Sequence, residues 1–167
     1  YLISLFFLGI YYLHYKHNAG TDSSISEYLI NYQGGFVRRG LIGEILFRYS
    51  DYFNFNLRFQ IFLFQSTIYT IFLTLIYNLF KNFKKNVIIL FAIYTPIFLL
   101  FPIAELESLG RKESILYVFF LSLILIKNTK HANLFTFFIL PLVCMVYEEV
   151  LIFTPFIFAV VLIKNKI

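Results

Sequence analysis

The sequence predicts an all-α fold, a polytopic bundle of membrane-spanning helices, and three observations carry that expectation. The 167 residues are 60% hydrophobic and only 14% charged, where a soluble domain would have charged residues near a quarter of its composition. The mean hydropathy is +0.78, an excess of apolar surface with no aqueous home. Apolar runs of helical length recur along the chain, separated by short charged stretches.

Six runs stand out, at residues 1–15, 57–80, 87–103, 108–126, 134–147 and 150–163. A helix needs ~20 residues to cross the hydrocarbon core, with ~17 as a lower limit. The second, third and fourth meet that length. The chain begins at Tyr1 and stops just after an apolar run, which suits a fragment of a longer protein; the first run reads as a shortened span, since no cleavage-site pattern follows it. The last two runs are short if separate and long for one span if joined. Joined, they would put Glu148 and Glu149 near mid-membrane, at a cost of roughly 2.5–3.5 kcal/mol for a central acid. A hairpin with the glutamates at its turn is therefore expected, with one long tilted helix as the alternative. All 167 residues form a single transmembrane domain in this reading.

Charge placement gives the sides. Lys81, Lys84, Lys85, Lys127, Lys130, Lys164 and Lys166 fall in loops without acids, and all share one side if every run crosses. The positive-inside rule makes that side cytoplasmic. The other side holds the nine acids, the five arginines, Lys16 and Lys112, a sum of 7 − 9 = −2 against +7, which recovers the net +5. The basic balance is thus a topology signal, and a nucleic-acid partner is excluded. Membrane lipids are the expected surroundings.

The outer segment 16–56 reads as two interfacial helices. Ser24-Ile-Ser-Glu27 matches a capping box, opening a helix from Ile25 to about Tyr32 that stops at Gly34-Gly35. A second helix is predicted from Val37 to Tyr49, with Glu44 and Arg48 paired at i, i+4 on its polar side. Arg38 and Arg39 then sit at a helix start, where free amides and guanidinium forks favour an anion. A phosphate, pyrophosphate or acidic sugar is the natural guest, with lipid headgroup phosphates as the bland alternative.

Further along, Arg111, Lys112 and Glu113 are expected in the first turn of the fourth span. Two cations there oppose the helix dipole, which implies partners such as Glu105, Glu107 or a bound anion; snorkelling at a membrane border is the alternative. Glu148 and Glu149 are adjacent carboxylates in an apolar hairpin, so at least one raised pKa is expected. They could act as a base, hold a divalent cation, or pair with Arg38, Arg39 or Arg111. Asp22 reads as a turn or cap residue. Cys144, the one cysteine, lies in an apolar run and reads as a small hydrophobe. His14, His17 and His131 have no metal-site spacing, and no phosphate loop, dinucleotide fingerprint or internal repeat appears.

The G-G-F-V-R-R-G stretch, the G-R-K-E stretch and the acid at the last hairpin resemble polytopic glycosyltransferases of the C type and the related O-antigen or capsule polymerases. The resemblance implies a polyprenyl-phosphate-linked sugar donor and a glycan acceptor, used at the outer face of a bacterial inner membrane. It gives Asp22 the place of the acid in the first outer loop, as base or metal contact, and gives Arg38 and Arg39 the donor phosphate. This chain has one aspartate where that pattern has an acidic pair, which brings in Glu107 and Glu148 as substitutes. The expected site is therefore Asp22, Glu107, Glu148 and Glu149 as catalytic acids, with Gly34, Gly35, Arg38, Arg39, Arg111 and Lys112 around the phosphate. A divalent cation is left open. A transporter or flippase of an anionic lipid or sugar, and a non-catalytic assembly subunit, are the other classes the sequence allows.

Overall fold

A computed structural model of the chain describes residues 1–19, 23–37, 39–81, 87–95, 99–105 and 107–166. Among them are nine helices: α1 (Leu2–Ala19), α2 (Ser23–Leu29), α3 (Leu41–Phe53), α4 (Leu57–Phe80), α5 (Val87–Tyr94), α6 (Phe101–Ala104), α7 (Glu113–Leu125), α8 (Thr129–Val146) and α9 (Val150–Lys166). No strand occurs among the described residues, as the apolar runs of helical length require.

The longest helix, α4, keeps the bounds read from the sequence because both signals are local. No glycine, proline or acid interrupts its run, and the Asn56 side chain accepts from the amides of Arg58 and Phe59, satisfying two of the donors a helix start leaves free. Asn128 caps α8 in the same way, so that helix starts five residues before the apolar run at Leu134. Helices α8 and α9 are separate, broken over Tyr147–Glu149, and Asn133 bonds Asn165 at 3.4 Å at their far ends. That contact makes them an antiparallel hairpin and sets aside the single long helix.

Several expected elements differ. The run 87–103 is not one span: α5 ends at Tyr94, α6 is a four-residue helix, and 96–98 lie outside the described residues. Thr95 precedes Pro96, a position that disfavours helical backbone, and Pro102 has no amide to continue a helix from before it. The run 108–126 is helical only from Glu113, since Gly110 takes a positive φ of +82°. The first run is longer than expected, continuing through Lys16 and His17 to Ala19. In the outer segment, α2 is shorter than the predicted 25–32 helix, and α3 starts four residues after Val37 and ends four after Tyr49.

Two helices, α4 and α8, are long and apolar enough to cross a membrane. Among the described residues the expected six spans are not confirmed: α7 and α9 are apolar but shorter. Helix α1 equals α8 in length but carries His14, Lys16, His17 and Asn18 near its end.

The helices pack around α4, whose broadest contacts are with α7 and α1. Helix α1 runs antiparallel to it, placing Leu5 beside Ile76 and Leu13 beside Tyr69. Helix α7 runs parallel to it: Gln65 bonds the Gly110 carbonyl, and further along the Phe72 and Tyr117 rings meet. The main core joins Tyr28 and Ile42 of the outer segment to Ile61, Leu116, Phe119, Val146 and Ile157. Between apolar helices in lipid, association depends on close packing more than on water exclusion. Gly9, which lies against the Tyr69 ring, and Gly43, which lies against the Ile30 and Tyr28 carbonyls, permit such approach.

This arrangement gives the bundle two ends. Lys81 closes α4, Lys127 lies between α7 and α8, Lys130 is in the first turn of α8, and the Lys164 amine donates to the carbonyls of Ile124 and Ile126 at the end of α7. The opposite end holds α2, α3, the starts of α4 and α7, and the α8–α9 break.

Candidate functional site

At that opposite end, charged residues from four parts of the chain meet. Their positions are set by a run of buried polar contacts. The Lys16 amine donates to the Leu109 carbonyl at 2.8 Å, and Gln65 donates to the Gly110 carbonyl at 2.9 Å while its oxygen lies 2.8 Å from His17 Nε2. Two successive carbonyls ahead of α7 are thus pinned to α1 and α4. Gly110 suits the bend because of its positive φ, and a Cβ there would crowd Leu13 and Gln65. The turn delivers Arg111 and Lys112 just before α7 rather than inside its first turn, with Glu113 its first residue.

Arg111 Nη2 donates to Glu27 Oε1 at 3.3 Å, and its Nε lies 3.8 Å from Glu113. The expected partners Glu105 and Glu107 do not take this role. Glu27, read from sequence as half of a capping box, instead ties α2 to the start of α7. Arg111 has its pKa raised, first by the charge of Glu113 and then by Glu27 against an opposing burial effect.

Arg39 lies just before Gly40, the N-cap of α3, and not within the helix as expected. Its Nη2 and Nε donate to Glu148 Oε1 at 2.5 and 3.1 Å. The α2–α3 segment is thereby joined to the α8–α9 hairpin, through one of the three arginine partners anticipated for the paired glutamates. Hydrogen bonding to Glu148 raises the Arg39 pKa. The neighbouring carboxylates turn to different groups: Glu149 accepts from the Tyr147 hydroxyl at 2.5 Å, and Glu113 lies 3.3 Å from that same hydroxyl. Burial first, and then these two acids, push the Tyr147 phenol well above its ordinary range.

Lys112 is 1% exposed. Its amine donates to the Arg39 carbonyl at 2.7 Å and lies 5.6 Å from the centre of the Tyr28 ring. Burial brings its pKa down to about 8, with Glu27 opposing and Arg39 adding to the shift. Expected among the phosphate ligands, Lys112 has its amine buried and bonded to the backbone that carries Arg39. Glu44 has a similar structural duty. It is buried, accepts from the Tyr32 amide at 3.0 Å and from Arg48 Nε at 2.6 Å, and its pKa is lowered, chiefly by Arg48. The i, i+4 pair with Arg48 is present, but Glu44 lies on the inner side of α3 rather than its polar face.

The other expected residues stand apart. Asp22 and Arg38 lie outside the described residues. Glu107 is exposed on the turn after α6. Gly34 and Gly35 form an exposed turn with no atom within 4 Å of an added Cβ, so no packing there requires glycine; the φ of +116° at Gly35 does. No group of three or more His, Cys, Asp or Glu able to hold a metal occurs among the described residues.

The cluster contains Arg39, Arg111 and Lys112 against Glu27, Glu113, Glu148 and Glu149, a formal sum of 3 − 4 = −1. An anion would be drawn by directed donors and not by net charge. Arg39 uses two N–H groups on Glu148, and a guanidinium has five. Sequence reading missed Glu27, Glu113 and Tyr147 as members; Tyr147 adjoining Glu148-Glu149 was the one local signal. Searches against protein-family models, curated proteins and solved structures found no match to this chain, so the site is interpreted from its own residues.

Proposed function

We propose that this chain is an integral membrane glycosyltransferase or polysaccharide polymerase that uses a polyprenyl-phosphate-linked sugar at the outer face of a bacterial inner membrane. The lysine-rich end faces the cytoplasm in this reading. The observation that supports it is the convergence of Arg39 and Arg111 with Glu148, Glu149 and Glu113 at one end of an apolar bundle. Guanidinium groups there would neutralise the departing phosphate, and a nearby carboxylate would take the proton of the acceptor hydroxyl. Glu149 suits that second duty better than Glu148, whose carboxylate is committed to Arg39. The glycosidic oxygen–carbon bond forms as the carbon–oxygen bond to phosphate breaks.

A second reading has its own support. Each arginine of the cluster is already paired with a carboxylate, as in a clasp that only holds the outer segment to the hairpin. Binding of inorganic pyrophosphate to purified protein separates the two. The phosphate reading expects Arg39→Ala and Arg111→Ala each to weaken binding about tenfold, the value of one charged hydrogen bond, while Arg39→Lys retains part of it. It also expects Glu148→Gln to tighten binding by releasing Arg39. Unchanged binding in all four variants, with lowered thermal stability, would leave the clasp.

A further inference from the structure

Beside the charged cluster lies the cavity of about 490 Å³ between α4, α6, α7 and α9. Its walls are predominantly apolar, with Phe72, Phe120, Leu121 and Phe153 among them. Gly110 and Ser114 also line it, and these two residues bracket Arg111, Lys112 and Glu113 in sequence. Helical spacing ties the two features together. Glu113 stands one turn before Tyr117, a wall residue, and Glu149 stands one turn before Phe153. The apolar space therefore begins where the charged cluster ends.

We propose that this cavity takes the hydrocarbon chain of an anionic lipid whose head lies at Arg39 and Arg111. The location of the head rests on the phosphate reading above; the location of the chain rests on the cavity. A space lined by rings and aliphatic side chains has little for a polar ligand to bond, and a partly open apolar groove of this kind accepts hydrocarbon. An engineered void of about 150 Å³ holds one benzene ring, so 490 Å³ has room for a hydrocarbon of roughly 15–20 carbons. Directed donors select the kind of lipid: Arg39 spends two of its five N–H groups on Glu148, and a phosphate head accepts such donors in parallel where an alcohol head offers a single oxygen.

The test uses the full chain in lipid nanodiscs and two photoreactive probes, hexadecyl phosphate and hexadecanol, each with a diazirine at mid-chain. Crosslinked residues are mapped by mass spectrometry. Expected is labelling of the half-buried walls Phe72 or Phe120 by the phosphate probe, roughly tenfold above the alcohol, with that preference lost in Arg111→Ala. Leu121→Trp, which fills the cavity at a distance from the arginines, should cut labelling of the same walls. Equal labelling of the walls by both probes keeps the chain in the cavity and overturns the phosphate head. Labels scattered over outward residues such as Phe59 and Phe137, unchanged by Leu121→Trp, overturn the cavity. A retained preference for phosphate in that last case leaves the head reading standing, so the two failures are distinct.

Discussion

Lys112 shows how much of this molecule rests on single side chains. Its amine is buried against the Tyr28 ring and bonded to the Arg39 carbonyl. A lysine whose folded pKa lies below its unfolded value binds fewer protons when folded, so stability rises with pH across the gap between them. For Lys112 that window runs upward from about 8 towards the ordinary lysine value of 10.5. Lys112→Met, similar in length but without charge, is expected to flatten the rise in thermal midpoint between about pH 8 and pH 10. A slope equal to wild type would show that the amine does not titrate in its buried place. Above that range the raised pKa of Tyr28 works in the opposite sense, which is why the measurement stops there. From sequence, Lys112 was one of two adjacent cations and read as a ligand. Nothing local distinguishes a cation that faces a cavity from one buried under an aromatic ring.

Among the helices, the legible ones had their causes close at hand in sequence. Helix α4 announced itself by length, and the hairpin by the cost of burying Glu148 and Glu149 in a continuous helix. The outer segment was harder, because α2 and α3 are placed by contacts that sequence spacing does not show. Glu44 reaches back to the Tyr32 amide, and Gly43 sits against the backbone of Ile30. A Cβ at Gly43 would collide with the Ile30 carbonyl, forcing the α2–α3 unit apart, whereas one at Gly34 meets nothing. Gly43→Ala is expected to cost about 1–3 kcal/mol, the usual range for overpacking, and Gly34→Ala to stay within ~0.5 kcal/mol. Denaturation curves of the purified protein in detergent compare the two; equal stability would mean the helix pair is looser than its packing indicates. The G-G and R-R-G motif was visible at once, yet the glycine that matters most for packing lies beyond it, at Gly43.

For the whole molecule, the separation of charges along the sequence has a counterpart in space. The described lysines Lys81, Lys127, Lys130 and Lys164 gather at one end, and the arginine–glutamate cluster at the other. The sequence offered three arginines to the paired glutamates but could not choose Arg39 among them, since Arg39 and Glu148 lie 109 residues apart. A two-sided protein is expected to show it by labelling. With Cys144→Ser removing the one cysteine, Asp51→Cys and Lys127→Cys each introduce a single exposed thiol. A membrane-impermeant maleimide added to intact cells should label Asp51→Cys, and Lys127→Cys only after lysis. Labelling of both before lysis would sink the two-sided arrangement.

The unequal helices also bear on the bilayer itself. Helix α4, with 24 residues, is about 36 Å long, while its parallel neighbour α7, with 13, is about 20 Å. A hydrocarbon core of ~30 Å cannot match both. In the membrane setting proposed above, tilt would relieve the lipid beside α4, while lipid beside α7 would thin or water would reach down to meet the turn that precedes it. In that setting a short α7 leaves Arg111 and Glu113 close to the apolar layer, so the bundle would draw the polar boundary of the membrane inward at the place where its own charges are concentrated.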